Sequence, residues 1–220
     1  MKVVAVNVGV VKPVPWDSGT LPVTAIEKHP VDGPVRITTY GVEGNECADV
    51  DNHGDEWMRV YAYSMEDYAW WESVLTATTR PGLFGEQLTT VGIDLNEALV
   101  GEVWRVGTAL LQIAHVRIPC QTFKGWMGAA GYDETQWVKR FTQAARVGPY
   151  FRVLEEGVVE AGDAIGVEDR PSHAVSVSQL FRALTVEPAL LPSLLDVPDL
   201  KPWVYERALR AVNQGPATDQ

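Results

Sequence analysis

The sequence predicts an α+β fold, mainly β with helices, and two observations carry the prediction. Through about residue 170, short β-branched runs alternate with glycine and proline; beyond it, apolar residues take up helical spacing. Closely spaced short strands between turn residues point to a barrel or sandwich rather than to alternating β/α units. The predicted strands are residues 3–11, 35–40, 87–91, 100–106, 109–116, 150–154 and 164–167. Gly33-Pro34, Gly92, Gly107 and Gly162-Asp163 punctuate them. Two helices interrupt the β texture. Over 64–79, Met65, Tyr68, Trp71 and Leu75 fall at helical spacing behind Ser64, a good N-cap. Over 133–147, Trp137, Phe141, Ala144 and Ala145 form a stripe, with Asp133 as cap and Gly148-Pro149 as stop. In the tail, Ser176-Val-Ser-Gln179 has the form of a capping box before Leu180, Phe181 and Leu184. Further helices are expected at 188–195 and 202–212, the last with Pro202 in its first turn. The expected organisation is a β domain over 1–170, a three-helix extension over 171–214, and a disordered tail at 215–220.

Composition excludes several function classes. Eighteen Lys and Arg stand against 29 Asp and Glu, a formal net charge of −11. Non-specific binding to nucleic acid or to an anionic membrane is therefore disfavoured. A basic pocket inside an acidic shell remains open, with Arg117, Lys124, Lys139, Arg140, Arg146 and Arg152 as its raw material. The start, Met1-Lys2-Val3-Val4-Ala5-Val6-Asn7-Val8, does not read as a signal peptide, and no apolar run reaches membrane-span length. Two cysteines, Cys47 and Cys120, are too few for a disulfide framework and point to a reducing, cytoplasmic compartment.

Cys120 is the focal residue. It follows a strand-like run, with Pro119 before it and Arg117 three positions earlier. A thiolate is a soft ligand and a nucleophile that a guanidinium favours; a buried, inert thiol is the competing reading. Asp49, His53 and Asp55 lie in a glycine-rich loop and serve either a hard metal or the loop's own backbone, though their spacing matches no standard cluster. Gly82 and Gly85 flank Leu83-Phe84, a turn whose free N–H groups suit an anion. Arg146 and Arg152 flank an aromatic strand and suit a phosphate, or a solvated surface. Lys124 and Cys47 read as bystanders, and His29, His115 and His173 as ordinary histidines. No Walker loop, dinucleotide fingerprint, nucleophile elbow or paired Cys-x-x-Cys is present.

The order of these pieces resembles the MOSC domain family, in its YiiM-like branch. The residues that carry the resemblance are Gly41 and Gly44, Asp49, His53-Gly54, Tyr61-Ala-Tyr63, Trp70 or Trp71, and Phe84-Gly85-Glu86 with Leu88. Gly101-Glu102, Arg117-Ile-Pro-Cys120, Gly148-Pro-Tyr-Phe-Arg152-Val-Leu154, Gly162-Asp163 and a helical tail with Trp203 complete it. The chain departs from the family pattern at Asn45 (aspartate there), Asp55 (glycine), Met58 (lysine) and Gln87 (asparagine). Asp55 and Met58 together make the local field more negative by two charges.

The resemblance implies a pyruvate-kinase-like β-barrel and the molybdenum cofactor, a molybdopterin, with Cys120 as metal ligand. It implies that Arg117, Arg146 and Arg152 bind the pterin phosphate, that the Phe84-Gly85-Glu86 turn approaches the cofactor, and that Asp49 and His53 act at the rim as proton donors. The implied function is reduction of N-hydroxylated compounds, such as base analogues or amidoxime-like substrates. Lacking flavin and nicotinamide motifs, the chain would draw electrons from a redox partner protein. The partners expected are thus a small-molecule substrate and that protein, with a homodimer left open, and neither nucleic acid nor membrane. A molybdopterin or sulfur carrier, and a fold kept without cofactor, are the alternatives.

Overall fold

The computed structural model describes residues 1–16 and 21–214; the tail expected at 215–220 lies outside them. In chain order the strands are β1 (Lys2–Val8), β2 (Lys12–Pro13), β3 (Val23–Thr24), β4 (His29–Val31), β5 (Val35–Thr38), β6 (Gly41–Val42) and β7 (Val60–Ser64). They continue as β8 (Leu88–Val91), β9 (Val103–Val106), β10 (Ala109–Val116), β11 (Pro149–Glu155), β12 (Gly157–Val159) and β13 (Ile165–Asp169). The α-helices are α1 (Val50–His53), α2 (Met65–Leu75), α3 (Gln121–Ala129), α4 (Trp137–Ala144), α5 (Val177–Leu184) and α6 (Pro202–Gln214), with 3-10 segments at Glu56–Met58 and Pro188–Asp196.

Eight strands form one sheet in the order β13-β9-β10-β11-β7-β8-β1-β4, and β12-β5-β6 form a second. Within the large sheet only β7 and β8 are parallel, Ala62 opposite Leu88. A parallel pair needs a long crossover, and α2 with the turn after it supplies that connection. Lys2 bridges Ala164, Val3 N–H donates to Asp163 O at 2.9 Å and Ile165 N–H to Met1 O at 3.1 Å, so the chain's beginning is tied to the entry of β13. The architecture is a mixed α+β one built on a large sheet.

The aromatic core explains why α2 and α4 pack where they do. Trp71 stacks on Phe141 at 5.8 Å and 7° and meets Phe84 edge-on at 6.0 Å. Trp137, Phe123 and Tyr68 complete the cluster, all fully buried. Burial of that much ring surface, with offset and edge-on contacts, is the main force holding these helices to the sheet. Ser64 caps α2 as expected, its side chain accepting from Asp67 N–H at 3.0 Å.

Four expected features depart from the sequence reading, each for a visible reason, and one helix was not expected. The strand expected over 3–11 stops at Val8, because Gly9 lets the backbone of Ala25 and Glu27 close in; a Cβ there would lie 2.5 Å from Glu27 O. The helix expected over 133–147 shrinks to α4, since Asp133 closes a turn onto Thr135 N–H at 2.9 Å and Gln136 and Ala145 both have φ of 51°. The segment 188–195 is 3-10 rather than α, with Pro192 inside it. Only half of the capping box forms: Ser176 accepts from Gln179 N–H, but the Gln179 side chain donates instead to Ser193 Oγ at 2.8 Å. Helix α3 was not expected at all. No helix among the described residues is long and apolar enough to cross a membrane.

Candidate functional site

Strand β10 ends at Val116, and the next four residues carry the chain to α3. Cys120 is the N-cap of α3, solvent-exposed, and its side chain makes no capping hydrogen bond. The first-turn N–H groups behind it have no intrahelical acceptor. Arg117, only 6% exposed, lies over the Phe123 ring at 4.5 Å and the Tyr61 ring at 5.3 Å. Tyr150 lies beside the guanidinium. Cys120, Arg117 and Tyr150 line a cleft of about 1080 Å³ that also contains Lys28, Asp49, His53, Asp55, Arg59, Gly85 and Lys201.

The cleft is lined, among the described residues, by four cations, Lys28, Arg59, Arg117 and Lys201, and four carboxylates, Glu46, Asp49, Asp51 and Asp55, but the charges are not all paired with one another. Among the described residues, no carboxylate lies within ion-pair distance of Lys28, Arg59 or Arg117. Lys28 is 5% exposed, and its ammonium donates to Ala25 O at 3.0 Å and Asn45 Oδ1 at 2.5 Å. Burial, and then repulsion from Arg117, pushes its pKa down to about 8. The Arg59 Nε is buried with no hydrogen-bond partner. Buried cations are ordinarily paired, and an unpaired one is costly. Two nearly buried cations and a third, in a protein of net charge −11, mark a place prepared for an anion.

Lys28 gives that inference a pH signature. Its ammonium is present below about pH 8 and lost above it, so phosphate affinity should fall as pH rises past that value. Lys28→Met should remove the dependence and weaken binding at pH 7; titration calorimetry between pH 6.5 and 9.5 checks both. A wild-type affinity that stays flat across this range contradicts the assignment.

His53 and Asp49 act as a unit. Asp49 caps α1, its carboxylate accepting from Asn52 N–H at 3.2 Å and from Asn52 Nδ2 at 2.9 and 3.0 Å. Its carbonyl accepts from His53 N–H at 2.9 Å. Asp49 thereby fixes the short helix that ends in His53. The imidazole packs 6.4 Å from the Tyr150 ring, and burial, then Arg117, holds its pKa below the ordinary histidine value.

Not every residue expected at the site lies there. Gly85 does, with φ of +79°; a Cβ on it would sit 3.1 Å from Ile26 Cγ1 and 3.5 Å from Arg117 Nη1. Phe84 belongs to the aromatic core. Glu86 is fully buried and structural: it accepts from Gly82 N–H at 2.6 Å, Thr89 Oγ1 at 2.7 Å and the Tyr68 hydroxyl at 2.8 Å. Burial pushes its carboxyl up, while Thr89, Gly82 and Tyr68 pull it back. Glu86→Ala strips three buried donors of their acceptor and should cost at least about 3 kcal/mol in urea unfolding. Arg146 and Arg152 do not line the cleft. Arg146 pairs with buried Asp67 at 2.7 Å and covers Trp70. Arg152 donates to Gln112 Oε1 at 2.5 Å and pairs with Asp199 at 3.2 Å. An anion offered to either would have to displace a carboxylate.

Lys28, Arg59 and Lys201 are the site residues that sequence reasoning missed. The departures from the family pattern indicate two of them. Asn45 accepts from Lys28, while Asp55 and Met58 both touch the Lys201 ammonium, at 2.5 and 3.3 Å.

Residues 49–166 match the MOSC domain. The chain belongs to the MOSC domain family. YflK of Bacillus subtilis is 31% identical over 175 residues, spanning 80% of this MOSC chain and 76% of its own. A Gibberella moniliformis protein named "Reductase" is 30% identical over 186 residues, again 80% of this chain but only 31% of that longer protein. The crystal structure of YiiM from Geobacillus stearothermophilus superposes with a TM-score of 0.76 at 26% identity, covering 95% of this chain and 97% of that one. This is a YiiM-like MOSC protein, as its ordered motifs imply. The matched segment contains Asp49, His53, Gly85, Arg117 and Cys120, whereas Lys28 and Lys201 reach the same cleft from outside it.

Proposed function

We propose that the cleft binds the molybdenum cofactor and that the protein reduces N-hydroxylated small molecules with electrons from a partner protein. The observation that carries this reading is the conjunction of Arg117 and Lys28, buried cations without carboxylate partners, with the exposed, uncommitted thiol of Cys120. This donor set fits a pterin phosphate and a soft metal respectively. Arg117, Lys28 and Arg59 would hold the phosphate, Cys120 would ligate the metal, and Gly85 would admit the cofactor close to the backbone. When bound, the cofactor supplies two-electron redox chemistry at nitrogen–oxygen bonds.

The chain's own residues supply binding and protons. Reduction of R–NHOH to R–NH2 consumes two electrons and two protons and releases water. Burial, and then Arg117, holds the His53 imidazole below its ordinary pKa; an anion on Arg117 offsets the second of these and makes the imidazole a better proton acceptor near neutral pH. Asp49 holds it in place through α1. The bridge from Lys2, in the next-to-last strand β1, to Ala164 at the entry of the edge strand β13 supports a barrel reading, and the free Cys47 and Cys120 support a reducing, cytoplasmic setting. The exposure of Cys120 also favours a second reading, a carrier that passes its cofactor on.

The test is the wild-type chain purified from a host that makes the cofactor. Molybdenum and pterin near one per chain, with turnover of an N-hydroxylated base in the presence of a reductase, are expected. Stoichiometric cofactor without turnover selects the carrier. Absence of both overturns the proposal.

A further inference from the structure

The C-terminal segment reaches the cleft through a set of contacts that has nothing to do with apolar packing alone. Asp199 has φ of 54°, outside the usual range for a non-glycine residue. It is held there from two sides: its carbonyl accepts from Trp57 Nε1 at 3.4 Å, and its carboxylate pairs with Arg152 at 3.2 Å. Two residues on, Lys201 points inward, its side chain only 12% exposed, with Nζ 2.5 Å from Asp55 Oδ2. The same ammonium is 3.3 Å from Met58 Sδ. Trp203 then packs edge-on against His115 at 5.6 Å. Lys201, Trp203, Asp55, Met58 and His115 all line the cleft.

Asp55 is the anomaly that this arrangement resolves. Its Oδ1 caps the 3-10 turn by accepting from Trp57 N–H at 3.1 Å, so the carboxylate is fixed on the wall of a cleft whose other cations await an anion. Left alone, it would repel that anion. We propose that Lys201 is a positioning residue of the cleft, delivered by the C-terminal segment: it cancels Asp55 and docks the helical tail, so that Asp55 does not oppose the unpaired Lys28, Arg59 and Arg117 while the tail is in place. The proposal rests on the anion-binding reading for its functional half, and on the contacts of Asp199 and Lys201 for its structural half. It also gives Arg152 a role, as the clamp on Asp199 that aims Lys201.

The test uses the full chain, with inorganic phosphate as probe and amide hydrogen exchange of α6 as an independent readout. Lys201→Met should weaken phosphate binding about tenfold and lower α6 protection. Lys201→Arg should keep both. Lys201→Met combined with Asp55→Asn should restore phosphate affinity to within about twofold, since the repelling charge is gone, while α6 stays loosened. Unchanged phosphate affinity in Lys201→Met, or a double variant as weak as the single one, overturns the proposal by showing that the charge at Asp55 is irrelevant. A wild type with no phosphate affinity overturns the anion-binding reading instead. In that case α6 decides: protection lost in Lys201→Met upholds the docking role, and unchanged protection refutes it.

Discussion

Cys120→Ser, purified from a cofactor-making host, is expected to carry less than about a tenth of the wild-type molybdenum, and the variant made without cofactor is expected to melt a few degrees higher than cofactor-free wild type. The two effects have separate causes. Serine's hard hydroxyl is a poor substitute for a thiolate toward a soft metal. Stability moves the other way because Cys120 stands at the N-cap of α3 and makes no cap bond. Serine is among the best residues there, worth about 1 kcal/mol, or about 2–4 °C in a chain of this size. Metal analysis and scanning calorimetry read the two arms. Equal molybdenum in variant and wild type removes Cys120 from the metal site.

Arg117→Met should show the same opposition more strongly. The guanidinium is 6% exposed, stacked on Phe123 and Tyr61, with no carboxylate beside it. Its loss should weaken phosphate or cofactor binding about a hundredfold, close to 3 kcal/mol. The folded chain should be at least as stable, because methionine keeps the ring contacts and removes an uncompensated buried charge. Tyr150 loses a charged neighbour, a smaller cost. Denaturant unfolding beside calorimetric titration checks the pair of outcomes. A strongly destabilised variant means that the charge serves the fold rather than a ligand.

How far the sequence revealed the molecule depends on whether the deciding force is local. Helix α2 was legible because Ser64, Tyr68, Trp71 and Leu75 encode cap and buried face within one segment. Helix α3 was not, because Gly125 and Gly128 read as breakers. Their absent side chains make room for Trp16 and Glu134; a Cβ on Gly125 would lie 2.1 Å from the Trp16 ring. At the site, Arg117 and Cys120 sit in one short motif, so the cleft's centre was visible. Lys28 sits between Glu27 and His29 and reads as a surface charge; its ammonium is turned inward onto Ala25 O and Asn45 Oδ1, and the turn at Gly82 closes on its backbone, where a Cβ would lie 2.6 Å from Lys28 O. Arg146 and Arg152 were visible as arginines, but their carboxylates lie 79 and 47 positions away. Sequence shows which charges exist. It does not show which of them are already spoken for.

The contact between Lys201 and Met58 joins residues 143 positions apart, and that separation has a consequence in time. At about 5–20 residues per second of synthesis, the interval between them is roughly 7–30 s. The Asp55 turn can form with the sheet before Lys201 has been made. From the completion of β13 at Asp169 until Lys201 is made, Asp55 has no ammonium beside it. On the proposal above, the site gains its full affinity for an anion only once the last helix has docked.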